Sequence, residues 1–165
     1  MKFRKATNAD WRQIADLIER VYHEYGETLC LDDADRDLLD IESYYFKRGG
    51  YFWVLESESG IVGSHAAHPS VDAPTVCTFR RLYLDQELRG QDWGRQLMQI
   101  TIDWAIENAF RKIAFWSDTR FARAHRFFER FGFVKTGEER EMFDAIEPYR
   151  EFYFYLDINP SAAKQ

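Results

Sequence analysis

The sequence predicts an α+β domain built on a mixed, mostly antiparallel sheet with helices against it. Three features point there. Strand-like segments rich in aromatic residues lie towards both ends of the chain, the middle reads strand–helix–strand–helix, and the helical segments are amphipathic. Such a helix has one apolar stripe that must be buried against another layer. No internal repeat or linker divides the 165 residues, which read as one domain over residues 1–158 with a polar tail at residues 159–165 expected to fray.

Lys2 to Ala6 is a short strand candidate, and Thr7 to Asp10 has the T-x-x-D spacing of a capping box, with Asp in place of Glu or Gln. Ile14, Leu17, Ile18, Val21 and Tyr22 form the stripe of the helix behind it, and Gly26 stops that helix. Leu31 to Arg48 crowds Asp32, Asp33, Asp35, Asp37, Asp40 and Glu42 around Arg36, with Leu38, Leu39, Ile41, Tyr44 and Tyr45 at roughly helical spacing. Two readings fit: a solvated acidic helix face, or a mouth whose field concentrates a cationic ligand. Gly49-Gly50 is a turn, Tyr51 to Glu56 a strand, Ser57 to Gly60 a hairpin connection, Ile61 to His68 the return strand and Thr75 to Leu84 a long third strand.

A helix is expected from about Asp92 to Asn108, with Leu97, Met98, Thr101, Trp104 and Ala105 inward. Lys112 to Trp116 is short and almost wholly apolar, the pattern of a strand buried in mid-sheet. Ser117, Asp118 and Thr119 offer N-cap side chains to a last helix that carries Ala124, Phe127, Phe128 and Phe131 and ends before Gly132. Phe133 to Thr136 reads as a strand, Gly137 to Arg140 as a turn or loop, and Glu151 to Ile158 alternates like a half-buried antiparallel strand.

The formal charge of −6 and pI near 5.3 disfavour nucleic acid as a partner and suit a cationic substrate. The two cysteines, Cys30 and Cys77, have neither metal-site spacing nor a disulfide framework, so reduced thiols in the cytoplasm and no metal are expected. The first ten residues hold no apolar run that would read as a signal peptide, and no stretch is long and apolar enough for a membrane span.

The chain is organised around Leu82 to Met98, LYLDQELRGQDWGRQLM, a strand that passes through a glycine-containing loop into a helix. The first N–H groups of a helix have no intrahelical partner, and the peptide dipoles place partial positive charge there. Gly90 and Gly94 allow close backbone approach, and Arg89 and Arg95 bracket the loop with phosphate-seeking guanidinium groups. A pyrophosphate site is the functional reading and an ordinary strand–turn–helix the plain one. The P-loop and dinucleotide patterns are both absent.

RGQDWG resembles the acyl-CoA signature R/Q-x-x-G-x-G/A of the Gcn5-related N-acetyltransferases, the GNAT family, with Arg89 first and Gly94 last. Asp92 stands at the inner glycine position and departs from the pattern. The preceding CTFRRLYL and the later ARAHRFFERFGFVKTG, similar to the family's A-x-x-F-Y-E-K-x-G-F segment, extend the resemblance in the right order over nearly the whole chain. It implies the GNAT fold, in which the strands matching Thr75–Leu84 and Lys112–Trp116 splay apart around the cofactor's pantetheine arm. It also implies transfer of an acetyl group from acetyl-CoA to a primary amine of a small molecule or peptide. By the same resemblance, backbone groups at Leu82, Tyr83 and Leu84 hold the pantetheine, Arg89, Gly90, Gln91, Asp92, Trp93, Gly94 and Arg95 hold the pyrophosphate, and Asp118 or Thr119 stands near a pantetheine-contacting position.

The amine must be neutral to attack, the thioester carbonyl needs a positioned N–H, and the thiolate benefits from a proton. Candidate bases are His65, His68, Glu56 and Tyr149, each of which could equally be a packed or surface side chain. His65 and His68 are three residues apart, so they face opposite sides of a regular strand and are not expected to point at one site. Phe128 occupies the position where many relatives carry a proton-donating Tyr, and His125 reads as a helix-surface residue. Asp92, repelled by phosphate, is expected to turn away and cap the helix. Two other readings remain: an acyl-CoA-binding sensor or interaction module with little or no catalysis, or an interaction domain using the acidic Asp32–Glu42 face. A homodimer is left open.

Overall fold

The computed structural model describes residues 1–159, so the polar tail lies almost wholly outside the described residues. Its strands are β1 (Lys2–Lys5), β2 (Tyr51–Ser57), β3 (Gly60–Pro69), β4 (Val76–Leu84), β5 (Lys112–Asp118), β6 (Val134–Met142) and β7 (Tyr149–Asp157), and its helices α1 (Trp11–His23), α2 (Ile41–Tyr44), α3 (Trp93–Glu107) and α4 (Ala122–Arg130). The strands form one sheet in the order β1-β2-β3-β4-β5-β7-β6. Every neighbouring pair is antiparallel except β4 and β5. Among the described residues, no helix is long and apolar enough to cross a membrane.

Both faces of the sheet are covered, which is why the middle strands are apolar almost throughout. Successive residues of β2 point to opposite sides. Phe52 and Val54 join Ile14, Leu17, Ile18 and Ile41 under α1 and α2. Trp53 and Leu55 join Leu97, Met98, Phe115 and Phe128 under α3 and α4. The Asp10 half of the capping box forms, the Thr7 N–H donating to Asp10 Oδ2 at 2.8 Å and the Thr7 hydroxyl to the same oxygen at 3.1 Å, while the Asp10 N–H goes to the Thr7 carbonyl at 3.0 Å.

Three expectations are corrected. Leu31 to Arg48 is no long acidic helix but a 3-10 turn, Arg36–Asp40, the single turn α2, and a second 3-10 turn, Phe46–Arg48. Ser117 and Asp118 do not cap the last helix; β5 continues through them and α4 starts at Ala122, while the Asp118 carboxylate takes Arg120 instead. Gly137 to Arg140 is no turn between elements: Gly137, at φ +86°, sits in a register break between Lys135 and Glu139, and β6 resumes its pairing with β7 beyond it. A local glycine signal marked a bulge rather than an end.

β4 is bulged as well. Ser64 lies opposite Tyr83 and Ala66 opposite Arg80, so Arg81 and Leu82 together face the single residue His65. Arg81 adopts φ +61°, an unusual conformation for a residue with a side chain. The Ser64 hydroxyl donates to the Arg81 carbonyl at 2.7 Å and pins the bulge.

Candidate active site

The parallel ladder between β4 and β5 is three pairs long, Val76–Lys112, Cys77–Ile113 and Thr78–Ala114. Beyond it β4 runs on to Leu84 and β5 to Asp118 without pairing to each other. Backbone polar groups left unpaired inside a fold need partners, and here they border a cleft of about 490 Å³. Leu82 and Tyr83 line it from β4, and Phe115 to Asp118 from β5. Leu84 does not line it, and its carbonyl accepts from Arg89 Nε at 3.1 Å. An extended chain with its own amides and carbonyls fits such a gap.

At the far end of β4 the chain enters the glycine loop. The first bond of α3 runs from the Gln96 N–H to the Asp92 carbonyl, 3.0 Å, which leaves the N–H groups of Trp93, Gly94 and Arg95 ahead of the hydrogen-bonded turns. A Cβ placed on Gly94 would come no nearer than 3.8 Å to Leu84 and Phe127, and one on Gly90 would meet nothing within 4 Å. Neighbouring side chains therefore demand neither glycine, although Gly90 is favoured by its own backbone at φ +81°, and the space beside both is open to a ligand. The arginines behave differently from expectation. Arg89 forks onto Glu24 at the end of α1, at 2.7 and 2.6 Å, and Arg95 onto Asp92, at 2.5 and 2.9 Å. Asp92, at φ +72°, does not cap α3 with its side chain, because its carboxylate is engaged by Arg95 and Gln96. Gln91 is turned to the Glu87 carbonyl, and Trp93 packs on Phe3. The loop thus offers backbone N–H groups to an anion more than it offers free guanidinium groups.

Behind the β4 bulge lies a buried charge network that sequence reasoning missed. Arg81 is clamped by Asp35, at 2.6 Å, and by both oxygens of Asp37, which also accepts from Tyr45 Oη at 2.5 Å. Asp35 and Asp37 are only 2% and 3% exposed, whereas Asp32, Asp33, Asp40 and Glu42 are exposed, so the acidic run is split between a buried pair and a solvated remainder. Burial pushes the Asp37 carboxyl up, but the Arg81 and Arg80 charges outweigh it and hold it down at about 2. The available signal was the pair Arg80-Arg81 in the middle of an otherwise apolar strand, whose partners lie more than forty residues earlier.

The candidate bases separate. His65 faces α3: its Nδ1 lies 2.8 Å from Thr101 Oγ1, and burial lowers it to about 3, so it stays neutral. His68 faces α2, against the rings of Tyr44 and Tyr45, with Nδ1 2.8 Å from the Pro69 carbonyl. The two do point to opposite sides, yet both reach the cleft, which passes between the parted strands. Burial lowers the His68 imidazole, helped by Arg80 and Arg48. Glu56 lies outside the cleft, bound to Arg4 at 2.8 Å. Tyr149 lines the cleft and donates to Asp144 at 3.0 Å; burial and nearby Glu151 push its phenol up, so it keeps its proton. Thr119 is taken up by the sheet, its N–H donating to the Arg150 carbonyl at 2.9 Å. Glu151, also missed, lies on β7 opposite Asp118 and lines the cleft. Burial raises its carboxyl despite the Arg140 guanidinium 2.6 Å away. Phe128 packs on Phe115 at 4.9 Å and borders the cleft as a hydrocarbon wall. His125 is buried rather than on the surface, with Nε2 3.1 Å from the Ser117 hydroxyl.

Comparison with known proteins follows the same lines. The profile of the Acetyltransferase (GNAT) family matches residues 11–133. The chain is 32% identical to human N-acetyltransferase 8 over 127 residues, covering 74% of this chain and 54% of that protein. A GNAT-family acetyltransferase from Staphylococcus aureus superposes with a TM-score of 0.80 at 18% identity, over 96% of this chain and 99% of the other. A GNAT-superfamily phosphinothricin acetyltransferase from Sinorhizobium meliloti, solved in complex with AcCoA, superposes with a TM-score of 0.75 at 18% identity, over 99% and 91%. At that identity the structural likeness is one of fold, and the chain spans about half the length of the human relative. The splayed strands, the amide-rich turn ahead of α3 and the profile match agree: this chain belongs to the GNAT acetyltransferase family.

Proposed function

We propose that this protein moves an acetyl group from acetyl-CoA to the primary amine of a small-molecule or peptidic acceptor by direct attack inside the cleft. The observation that carries this reading is the three-pair ladder between β4 and β5, which leaves two strand edges unpaired around a cleft, with β4 running on through the glycine loop to the α3 N-terminus. Acetyl-CoA supplies an acyl group on a thioester: the amine nitrogen bonds to the carbonyl carbon, the C–S bond breaks, and the thiolate leaves.

The protein's part is to hold, orient and move protons. The N–H groups of Trp93, Gly94 and Arg95 receive the diphosphate, aided by the helix dipole. Backbone groups of Leu82 and Tyr83 hold the pantetheine arm, and an N–H there polarises the thioester carbonyl. Glu151 takes the proton of the incoming ammonium, directly or through one water, because it is the cleft carboxylate whose environment favours protonation. Ser117, backed by His125, returns a proton to the sulfur where Phe128 has no hydroxyl to give. The free Cys30 and Cys77 suit a cytoplasmic setting.

A second reading, an acyl-CoA-binding module with weak or no catalysis, is favoured by Phe128 and by Asp92 paired to Arg95. Thiol release from acetyl-CoA, measured with a panel of primary amines, separates the two. Amine-dependent release supports the transferase; binding of acetyl-CoA without release for any amine supports the module.

A further inference from the structure

The acceptor end of the cleft has two electrical poles. On one side, along β5, β7 and the adjoining loops, stand Glu27, Asp118, Asp144 and Glu151. Two guanidinium groups answer these four carboxylates: Arg120 pairs with Asp118 and Glu27, each at 2.5 Å, and Arg140 with Glu151 at 2.6 Å. On the other side, from β4 and the turn after α2, stand Arg80 and Arg48. The buried pair Asp35 and Asp37 is already matched by Arg81 and Arg80, so Arg48 is surplus positive charge, with no carboxylate partner among the described residues. Arg80 spends one N–H on Tyr44 Oη at 2.8 Å and another on the Ala34 carbonyl at 3.4 Å, and keeps further donors. Tyr44 orders both arginines, with Arg48 over its ring at 4.8 Å.

Arg80 contacts Tyr44 of α2, and Asp118 and Glu151 are direct register partners on the strands opposite. Both poles line the same cleft, Arg80 on its β4 wall and Asp118 on its β5 wall. Resting on the transferase reading, we infer that the acceptor is a zwitterion: an amino acid or short peptide whose carboxylate docks on Arg48 and Arg80 while its ammonium group lies at Glu151. A polyamine or other simple cation, which the net charge of −6 suggested, would have to place one end against Arg48. In the zwitterion the carboxylate sets the distance and the ammonium group is delivered to the base. Glu151 takes the ammonium proton, the freed nitrogen bonds to the acetyl carbon, the C–S bond breaks, and the thiolate is protonated from Ser117 or water.

The test compares free L-amino acids of apolar, polar, acidic and basic side chain with their α-amides and with the diamine putrescine, in turnover and in binding to the CoA-saturated protein. Free amino acids should exceed their amides in kcat/KM by about 10- to 100-fold, the worth of one charge-assisted contact. Arg48→Gln should raise KM for the amino acid by a similar factor and leave the amide unchanged; Arg80→Lys, which keeps the charge but not the fork, is the second variant and should act in the same direction. Amides or putrescine turned over as well as amino acids would overturn the inference and leave the transferase standing. Arg48-dependent binding of amino acids with no turnover would uphold the zwitterion site, as a ligand site, and defeat the transferase. No binding and no turnover of any amino acid would overturn the inference outright.

Discussion

Arg81 shows how a single residue ties the fold to the site. Its left-handed backbone makes the β4 bulge, and its guanidinium is buried between Asp35 and Asp37. Taking three charges out of water is costly, and only close pairing offsets the cost. Replacing one partner is then worse than replacing all three. Asp37→Ala should destabilise the protein by about 3–5 kcal/mol in urea unfolding. The pH dependence has a definite sign. Asp37 titrates at about 2 in the folded protein, below its ordinary value of 3.8, so its contribution is complete above 3.8 and is lost as pH falls towards 2. That loss is about 2 kcal/mol in wild type and absent in Asp37→Asn. Glu151 carries the matching prediction for activity. Glu151→Gln should lower kcat by about 10²-fold or more without changing acetyl-CoA affinity. In wild type the rising limb of kcat/KM against pH should lie above the usual glutamate range, since burial raises that carboxyl. An unchanged profile in the variant would remove Glu151 from the mechanism.

Among the elements, α3 with its leading loop was the most legible in the sequence. Glycines, bracketing arginines and a long amphipathic stripe announce a strand–loop–helix locally, and all of it forms within a few residues of the expected limits. The same reading failed wherever the answer lay far along the chain. Arg89, expected at phosphate, is paired here with Glu24, 65 residues earlier, whereas the partner of Arg95 is the local Asp92. The acidic run was ambiguous because its counter-ion, Arg81, is distant in sequence, and Glu151 went unnoticed because an alternating strand gives no sign of which exposed-looking residue meets a cleft. A prediction about this element follows from the space at Gly94. The nearest protein atoms to a new Cβ there are 3.8 Å away, so Gly94→Val should cost about 1 kcal/mol of stability or less. On the ligand side the added methyls occupy the approach to the Trp93–Arg95 amides, and the Kd for CoA should rise by about 10-fold or more, read by calorimetry. Equal effects on folding and binding would mean that the loop does not hold the diphosphate.

At the scale of the whole molecule, the sheet is two half-sheets, β1–β4 and β5–β7, joined by one short parallel ladder and by helices packed over the joint. The part of the gap that the ladder leaves unclosed is where the acyl carrier is proposed to lie, so the carrier should complete the sheet as an added, non-peptide strand. Two consequences distinguish this from loop binding alone. At 100 times its Kd, acetyl-CoA should stabilise the protein by about 2.7 kcal/mol, on the order of 5–10 °C in Tm for a chain of this size. Hydrogen exchange should slow in β4 from Phe79 to Leu84 and in β5 from Phe115 to Asp118, the edges that lack each other as partners. Acetyl-pantetheine, which has the arm but no diphosphate, should protect the same two edges, at a much higher concentration because the α3 amides gain nothing from it. Dephospho-CoA keeps the diphosphate and should match CoA closely. If all three ligands protected only residues 89–95 and left both strand edges exchanging as before, the arm would not lie in the gap, and the unpaired edges would need another partner.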